Sequence, residues 1–169
     1  MPARTNALRL IAAARLVHEV RAYELDIDAF TAEAVASLIG LPIGQVFKTL
    51  VARGERTGPC FAVVPGGTQV DLKALAATAG ERRMALVPSA DVEPLTGYRR
   101  GAVTAIASRK DLPVYLDASA EELERIAVSA GTRGLQVLLR TEDYVALTGA
   151  IVSPIARPTH DRRHEREKR

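Results

Sequence analysis

Three places in this 169-residue chain carry residue types able to do chemistry. The first is Lys48, in the middle of Gln45-Val46-Phe47-Lys48-Thr49-Leu50-Val51-Ala52. Period-two alternation puts Val46, Lys48, Leu50 and Ala52 on one face of a strand, and Phe47, Thr49 and Val51 on the other. An ammonium therefore shares a face with apolar side chains. Burying it without a partner is very costly. It either snorkels to a strand edge or opens into a cleft where an anion meets it. The second and third places are loops, Gly97-Tyr98-Arg99-Arg100-Gly101 and Ser129-Ala130-Gly131-Thr132-Arg133-Gly134. Glycines let backbone N–H groups approach an oxygen closely, and the Ser129 hydroxyl adds a donor or acceptor. Such loops either cradle a phosphate or an ester carbonyl, or are turns that need positive φ. Arg99, Arg100, Arg109 and Lys110 form either a basic rim or a solvated face.

Other chemistries lack their residues. His160 and His164 lie near the C-terminus and His18 falls on the polar side of a strand, so no Ser/His/Asp triad is expected. No Cys/His cluster has zinc-ligand spacing, and Asp26 and Asp28 read as a solvated loop. No G-x-G-x-x-G or Walker lysine motif occurs. The expectation is a site without metal or cofactor. Cys60, in the apolar run Cys60-Phe61-Ala62-Val63-Val64, is the single cysteine. It reads as a small core residue in a reducing, cytoplasmic setting. No apolar run approaches the ~18 residues of a membrane span.

The elements that must position these residues read as follows. Thr5 caps a helix over Asn6 to Arg15, and Val17 to Tyr23 alternates as a strand. Thr31 caps a helix over Ala32 to Ile39 that Gly40 ends. The Lys48 strand turns at Gly54-Glu55-Arg56-Thr57-Gly58-Pro59 and returns through Cys60 to Val64, a hairpin. Asp71 caps a helix over Leu72 to Ala79 that Gly80 stops. Met84 to Val87 is a short strand, and Val92 to Arg100 is irregular. Val103 to Ala107 and Val114 to Leu116 are strands. Ser119 and Glu122 form a capping box. Ile126 to Ser129 and Leu135 to Leu139 are strands, and Thr141 caps a last helix over Glu142 to Leu147 that Gly149 ends. Helices and strands mix without strict βαβ alternation. The expected class is mixed α/β, one domain with a curved mixed sheet or partly open barrel flanked by helices.

Composition sets the outer bounds. The chain is 47% hydrophobic, enough for one core, and only 4% aromatic, so that core is built mostly from Ala, Val, Leu and Ile. The formal charge of +3 sits in the segment from Arg157 to Arg169, while residues 1–156 balance at 17 basic and 17 acidic side chains. Residues 157–169 thus read as a basic, unfolded arm, able to attract phosphates or simply solvated.

Several short stretches together resemble the YbaK family of aminoacyl-tRNA deacylases, relatives of the editing domain of bacterial prolyl-tRNA synthetase. They are Val46-Phe47-Lys48-Thr49-Leu50, Leu72-Lys73-Ala74-Leu75-Ala76, Thr96-Gly97-Tyr98 with Gly101, Ser108-Arg109-Lys110 before Pro113-Val114-Tyr115-Leu116-Asp117, and Val128-Ser129-Ala130-Gly131-Thr132-Arg133-Gly134-Leu135. The resemblance covers about residues 6–156. It implies a mixed α/β fold and hydrolysis of mischarged Cys-tRNA(Pro). A pocket discriminates poorly between near-isosteres, so a second, hydrolytic site is needed. It further implies that Lys48 holds the acceptor end, that Tyr23 and Phe30 wall the pocket, and that Gly101 and the Ser129–Gly134 loop approach the aminoacyl group. Lys48, Gly101 and Ser129 become the candidate catalytic set. Thr49, Gly97, Gly131 and Gly134 join Tyr23 and Phe30 as candidate substrate contacts. The implied chemistry is substrate-assisted, the substrate's cysteine thiol attacking its own ester with release of a thiolactone. The implied partners are the tRNA(Pro) acceptor end and prolyl-tRNA synthetase. Two departures bear on specificity: Gly101-Ala102 and Ala105 replace a Gly-Gly and a Pro, and Gln136 stands where some members have an acid. Two other readings stay open, a deacylase of another mischarged tRNA such as Ala-tRNA(Pro), and a non-catalytic adaptor that binds a nucleotide or tRNA end.

Overall fold

The computed structural model describes residues 4–159. The chain runs α1 (Asn6–Ala13), β1 (His18–Ala22), α2 (Ala32–Ile39), β2 (Phe47–Gly54), β3 (Gly58–Pro65), β4 (Thr68–Val70) and α3 (Leu72–Ala79). It continues through β5 (Met84–Leu86), α4 (Ser89–Thr96), β6 (Val114–Asp117), β7 (Arg125–Ser129), β8 (Leu135–Arg140), α5 (Thr141–Thr148), β9 (Ile151–Ser153) and β10 (Ala156–Pro158). A five-stranded sheet has the order β5-β2-β3-β6-β9, antiparallel on one side of β3 and parallel on the other. A three-stranded antiparallel sheet, β1-β8-β7, stands beside it, and a parallel bridge from Val46 to Ala127 joins the two. The class is mixed α/β, as the residue pattern predicts, and the sheets do not close into a barrel.

Burial shows why these segments settle in layers. Phe47, Val51, Phe61, Val63, Leu116, Ile126, Val128, Val137 and Leu139 meet between the two sheets, with Ile11 of α1 and Tyr144 of α5. The other face of the hairpin, with Ala52, Cys60, Ala62 and Val64, packs against Leu75 and Ala76 of α3. Val35, Ala36 and Ile39 of α2 cover Ala127 and Leu138 of the smaller sheet. Both faces of β3 are buried, which explains its nearly continuous apolar run. Three helix starts hold as expected: Thr5, Thr31 and Asp71 each accept a backbone N–H of the first turn. Among the described residues no helix is long and apolar enough to cross a membrane.

Cys60 is buried among apolar neighbours, and burial pushes its thiol up to about 11. Since only the thiolate attacks a disulfide reagent, a thiol-exchange dye at pH 8 is expected to label the folded protein only at the rate of unfolding. In denaturant it should label at once. Fast native labelling, followed spectrophotometrically, would show Cys60 to be accessible.

Several expectations need correction. The stretch around Val92 is a helix, α4, despite Pro94 inside it; the Thr96 hydroxyl bonds Val92 O and Gly97 N bonds Glu93 O. Val103 to Ala107 does not form a strand. Thr104 and Ile106 are fully buried, so the alternation reports which side meets the core, but no strand pairs with the segment. Its carbonyls bond side chains instead: the Tyr98 hydroxyl donates to Ile106 O at 2.5 Å, with Ala107 O 3.1 Å away. The turn after β6 is capped by Asp117, which accepts the Ser119 N–H, and not by Ser119. Thr141 does not cap α5; its hydroxyl donates to Leu123 O. Strands β4, β9 and β10, three residues each, lack a readable period. Because β10 pairs with β4 through Pro158, the ordered chain passes residue 156; residues 160–169, with His160 and His164, lie outside the described residues.

Candidate active site

A cavity of about 480 Å³ lies where α2, β2, the end of β5, α4 and the two glycine loops meet. Phe30, Lys48, Thr49, Gly101 and Ser129 line it. The hairpin supplies Lys48 and Thr49 from opposite faces of β2, because the strand's start forms part of the wall. Val46, Val51, Val87, Val92 and Val103 give the cavity an apolar lining, and Glu33, Ser89, Arg100 and Gln136 add polar groups.

The two glycine loops converge, which spacing alone left open. The Ser129 hydroxyl donates to Ala102 O at 2.9 Å and accepts the Gly131 N–H at 3.1 Å. The Arg133 guanidinium donates to Arg100 O at 2.8 Å. Gly101 has φ +82, and a Cβ there would come within 3.1 Å of Ile27 and 3.6 Å of Phe30. A side chain at that position would therefore be strained and would press on the wall that Phe30 helps to form. Gly131 has φ +93, and a Cβ would stand 3.0 Å from the Tyr98 ring. That glycine permits the close contact of one loop with the other. Ser129 is thus a strut between loops, with both hydroxyl roles in use.

Four of the expected residues do not line the cavity. Tyr23, like Phe30, packs against the cluster around Val35, and its backbone N–H bonds Gly134 O at 2.9 Å. Gly134 therefore serves the β1–β8 junction. Gly97 ends α4, and Gly131 is held between Ser129 and Tyr98. His18 is exposed and bonds Leu16 O. Glu33 and Ser89 are lining residues that the sequence reading missed. Glu33 is held by the N–H of Gly67, 34 residues away, and Ser89 starts a helix without a side-chain cap, so no local signal marks either.

Lys48 neither snorkels freely nor is buried unpaired. Its ammonium donates to the carbonyl of Thr68, at the start of β4. Burial lowers its pKa, and the Glu33 carboxylate opposes that shift. Burial would raise the Glu33 pKa, but hydrogen bonds from its own N–H and that of Gly67, with the Lys48 charge, bring it below the usual value. Thr49 Oγ1 and Gln136 Oε1 are buried without a partner. Among the described residues no group of three or more His, Cys, Asp or Glu can hold a metal ion.

Residues 27–147, which contain every wall of this cavity, match the model of the aminoacyl-tRNA editing domain. The chain belongs to the aminoacyl-tRNA editing domain family. It is 38% identical over 145 residues to EbsC of Enterococcus faecalis, named as a candidate Cys-tRNA(Pro)/Cys-tRNA(Cys) deacylase; the match covers 86% of this chain and 88% of that one. It is 32% identical over 119 residues to the multifunctional Ser/Thr-tRNA deacylase ProXp-y of Escherichia coli, covering 68% of this chain and 71% of the relative. A solved candidate trans-editing enzyme for prolyl-tRNA synthetase superposes with TM-score 0.76 at 26% identity, over 92% of this chain and 99% of that one. The editing-domain match begins after Tyr23, so that residue lies outside the matched segment as well as outside the cavity.

Proposed function

We propose that this editing domain removes a wrongly attached amino acid from the 3′ end of a tRNA in trans, with Cys-tRNA(Pro) as its substrate. The observation that carries the reading is a charged Lys48 on the wall of an apolar cavity, beside two glycine loops that Ser129 ties together. A volume of about 480 Å³ falls in the range of small-ligand sites. It suits a terminal nucleoside bearing a small aminoacyl group. Lys48 supplies a fixed positive charge for ribose or phosphate oxygens, and Phe30 and the valines exclude water from the ester. The relatives named as deacylases of Cys-tRNA and Ser/Thr-tRNA support the reaction class.

No histidine lines the cavity, and the Ser129 hydroxyl is engaged on both sides. That arrangement favours a nucleophile brought by the substrate. The cysteine thiol attacks the ester carbonyl, a C–S bond forms, the bond between the acyl carbon and the ribose oxygen breaks, and the thiol proton ends on that oxygen as the released ribose hydroxyl. Water then opens the thiolactone to cysteine. The site's contribution is positioning and charge stabilisation.

A second substrate reading has its own observation. The unpartnered oxygens of Thr49 and Gln136 offer acceptors to a hydroxyl side chain, which favours Ser- or Thr-tRNA. A panel of Cys-tRNA(Pro), Ala-tRNA(Pro), Ser-tRNA and Thr-tRNA separates the readings. The expected result is fastest release from Cys-tRNA(Pro), with trapped thiolactone. Fastest release from Ser- or Thr-tRNA selects the hydroxyl reading. Release no faster than the spontaneous rate for the whole panel would leave a binding adaptor and sink the enzyme proposal. Adding prolyl-tRNA synthetase to the same assay tests the proposed partner: it should speed release only for tRNA(Pro).

A further inference from the structure

Lys48 and Glu33 grip the same turn from two sides. The turn runs from Pro65 at the end of β3 to Thr68 at the start of β4. The Lys48 ammonium donates to Thr68 O, and the Gly67 N–H donates to Glu33 Oε1 at 2.7 Å. The rest of the turn is tightly fixed. Gly66 N donates to Val46 O at 2.8 Å, and Thr68 Oγ1 donates to Pro65 O at 2.7 Å. A Cβ on Gly66 would stand 2.9 Å from Ile43. Glu33 lies in the first turn of α2 and lines the same cavity as Lys48.

We propose that Glu33 is a positioning residue for Lys48: its carboxylate anchors the turn whose carbonyl receives the ammonium, and keeps a negative charge beside it. This rests on the reading of Lys48 as the group that holds the substrate. The charged side chains on the cavity wall are Glu33 from α2, Lys48 from β2 and Arg100 from the loop after α4. The wall residues of β5, α4, β7 and β8 are uncharged. Without Glu33, Lys48 would share the cavity with Arg100 alone, and its charged form would be less favoured. The carboxylate is open to solvent on one side, which screens its effect to a moderate size.

The test uses the full chain with 13C-labelled lysine. The lysines are Lys48, Lys73, Lys110 and Lys168, so the signal lost in Lys48→Ala identifies Lys48. Glu33→Gln keeps an oxygen for the Gly67 N–H and removes the charge; Glu33→Ala removes both. The expected result is that Lys48 titrates at lower pH in Glu33→Gln than in the wild type, and that deacylation falls about threefold to tenfold. Glu33→Ala should fall further, because the turn loosens as well. An unmoved Lys48 titration in Glu33→Gln overturns the proposal, even if Glu33→Ala loses stability and rate, since a merely structural tether would behave that way. Failure of the functional reading is separate: there Lys48→Ala deacylates as well as the wild type while the Lys48 signal still shifts in Glu33→Gln.

Discussion

Replacing Lys48 by alanine is expected to lower Cys-tRNA(Pro) deacylation by about 10²–10³-fold, the usual cost of removing one preorganised charge-stabilising donor. The melting temperature should stay within a few degrees. The two outcomes follow from one geometry. The ammonium sits at a cavity wall, where burial disfavours its charge, and the Thr68 carbonyl and nearby Glu33 compensate. Alanine removes a partly desolvated charge and leaves one carbonyl, on the half-buried Thr68, that water can satisfy, so folding loses little. Substrate, by contrast, loses the one cation that β2 places on the wall.

Lys48→Arg is the sharper variant. A guanidinium is longer and planar, and prefers two acceptors side by side; the Thr68 carbonyl offers one. Arginine should therefore keep the charge and recover only a small part of the rate. Single-turnover deacylation with each variant, beside thermal unfolding, checks both statements. Full activity in Lys48→Ala would remove this residue from the mechanism and return it to the snorkelling role that an isolated strand lysine ordinarily has.

The two meanings of Lys48 also show how far the sequence could be read. Alternation in β2 named the correct faces, because each face meets its own apolar cluster and the period of a strand is fixed by geometry. Caps at Thr31 and Asp71 with glycines at Gly40 and Gly80 marked α2 and α3, since those signals act within one turn of chain. The same reasoning failed wherever a distant partner decided the outcome. Val103 to Ala107 alternates like a strand, but Tyr98 and Ser129 take carbonyls of the segment from Ala102 to Ala107 that a ladder would have used. Val92 to Arg100 reads as irregular, yet α4 reaches Thr96 despite Pro94, because it is only eight residues long and its end is held by Thr96 and Gly97. The site was legible in the same measure. The glycine loops and Lys48 announce themselves by residue type, whereas Glu33 enters through a hydrogen bond to Gly67, 34 residues away.

The largest effect on stability is expected from Asp117→Ala, a residue that plays no part in the cavity. Asp117 is 6% exposed at the end of β6. Its Oδ1 accepts the backbone N–H groups of Ile155 and Ala156, each at 2.9 Å, and Oδ2 accepts that of Ser119 at 3.1 Å. One carboxylate thus ties β6 to Ile155 and to the start of β10, which in turn pairs with β4, the strand that presents the Thr68 carbonyl to Lys48. Alanine would leave these donors without an acceptor, the Ile155 N–H among them in a buried setting, at a cost of about 3 kcal/mol. For a chain of this size the melting temperature should fall by roughly 6–12 °C. Acid adds an independent check. Burial would raise the Asp117 pKa, but its hydrogen bonds from Ser119, Ile155 and Ala156 outweigh that and hold it below 3.8. A carboxyl whose pKa is depressed in the folded state binds protons more readily when unfolded. Its stabilisation is therefore complete above the unfolded value, about 3.9, and is lost as pH falls through the folded one. Asp117→Asn keeps an acceptor and loses the charge. Chemical unfolding between pH 7 and pH 2 should show a shallower acid decline in Asp117→Asn than in the wild type. Parallel acid curves would place the stabilisation in carboxylates other than Asp117.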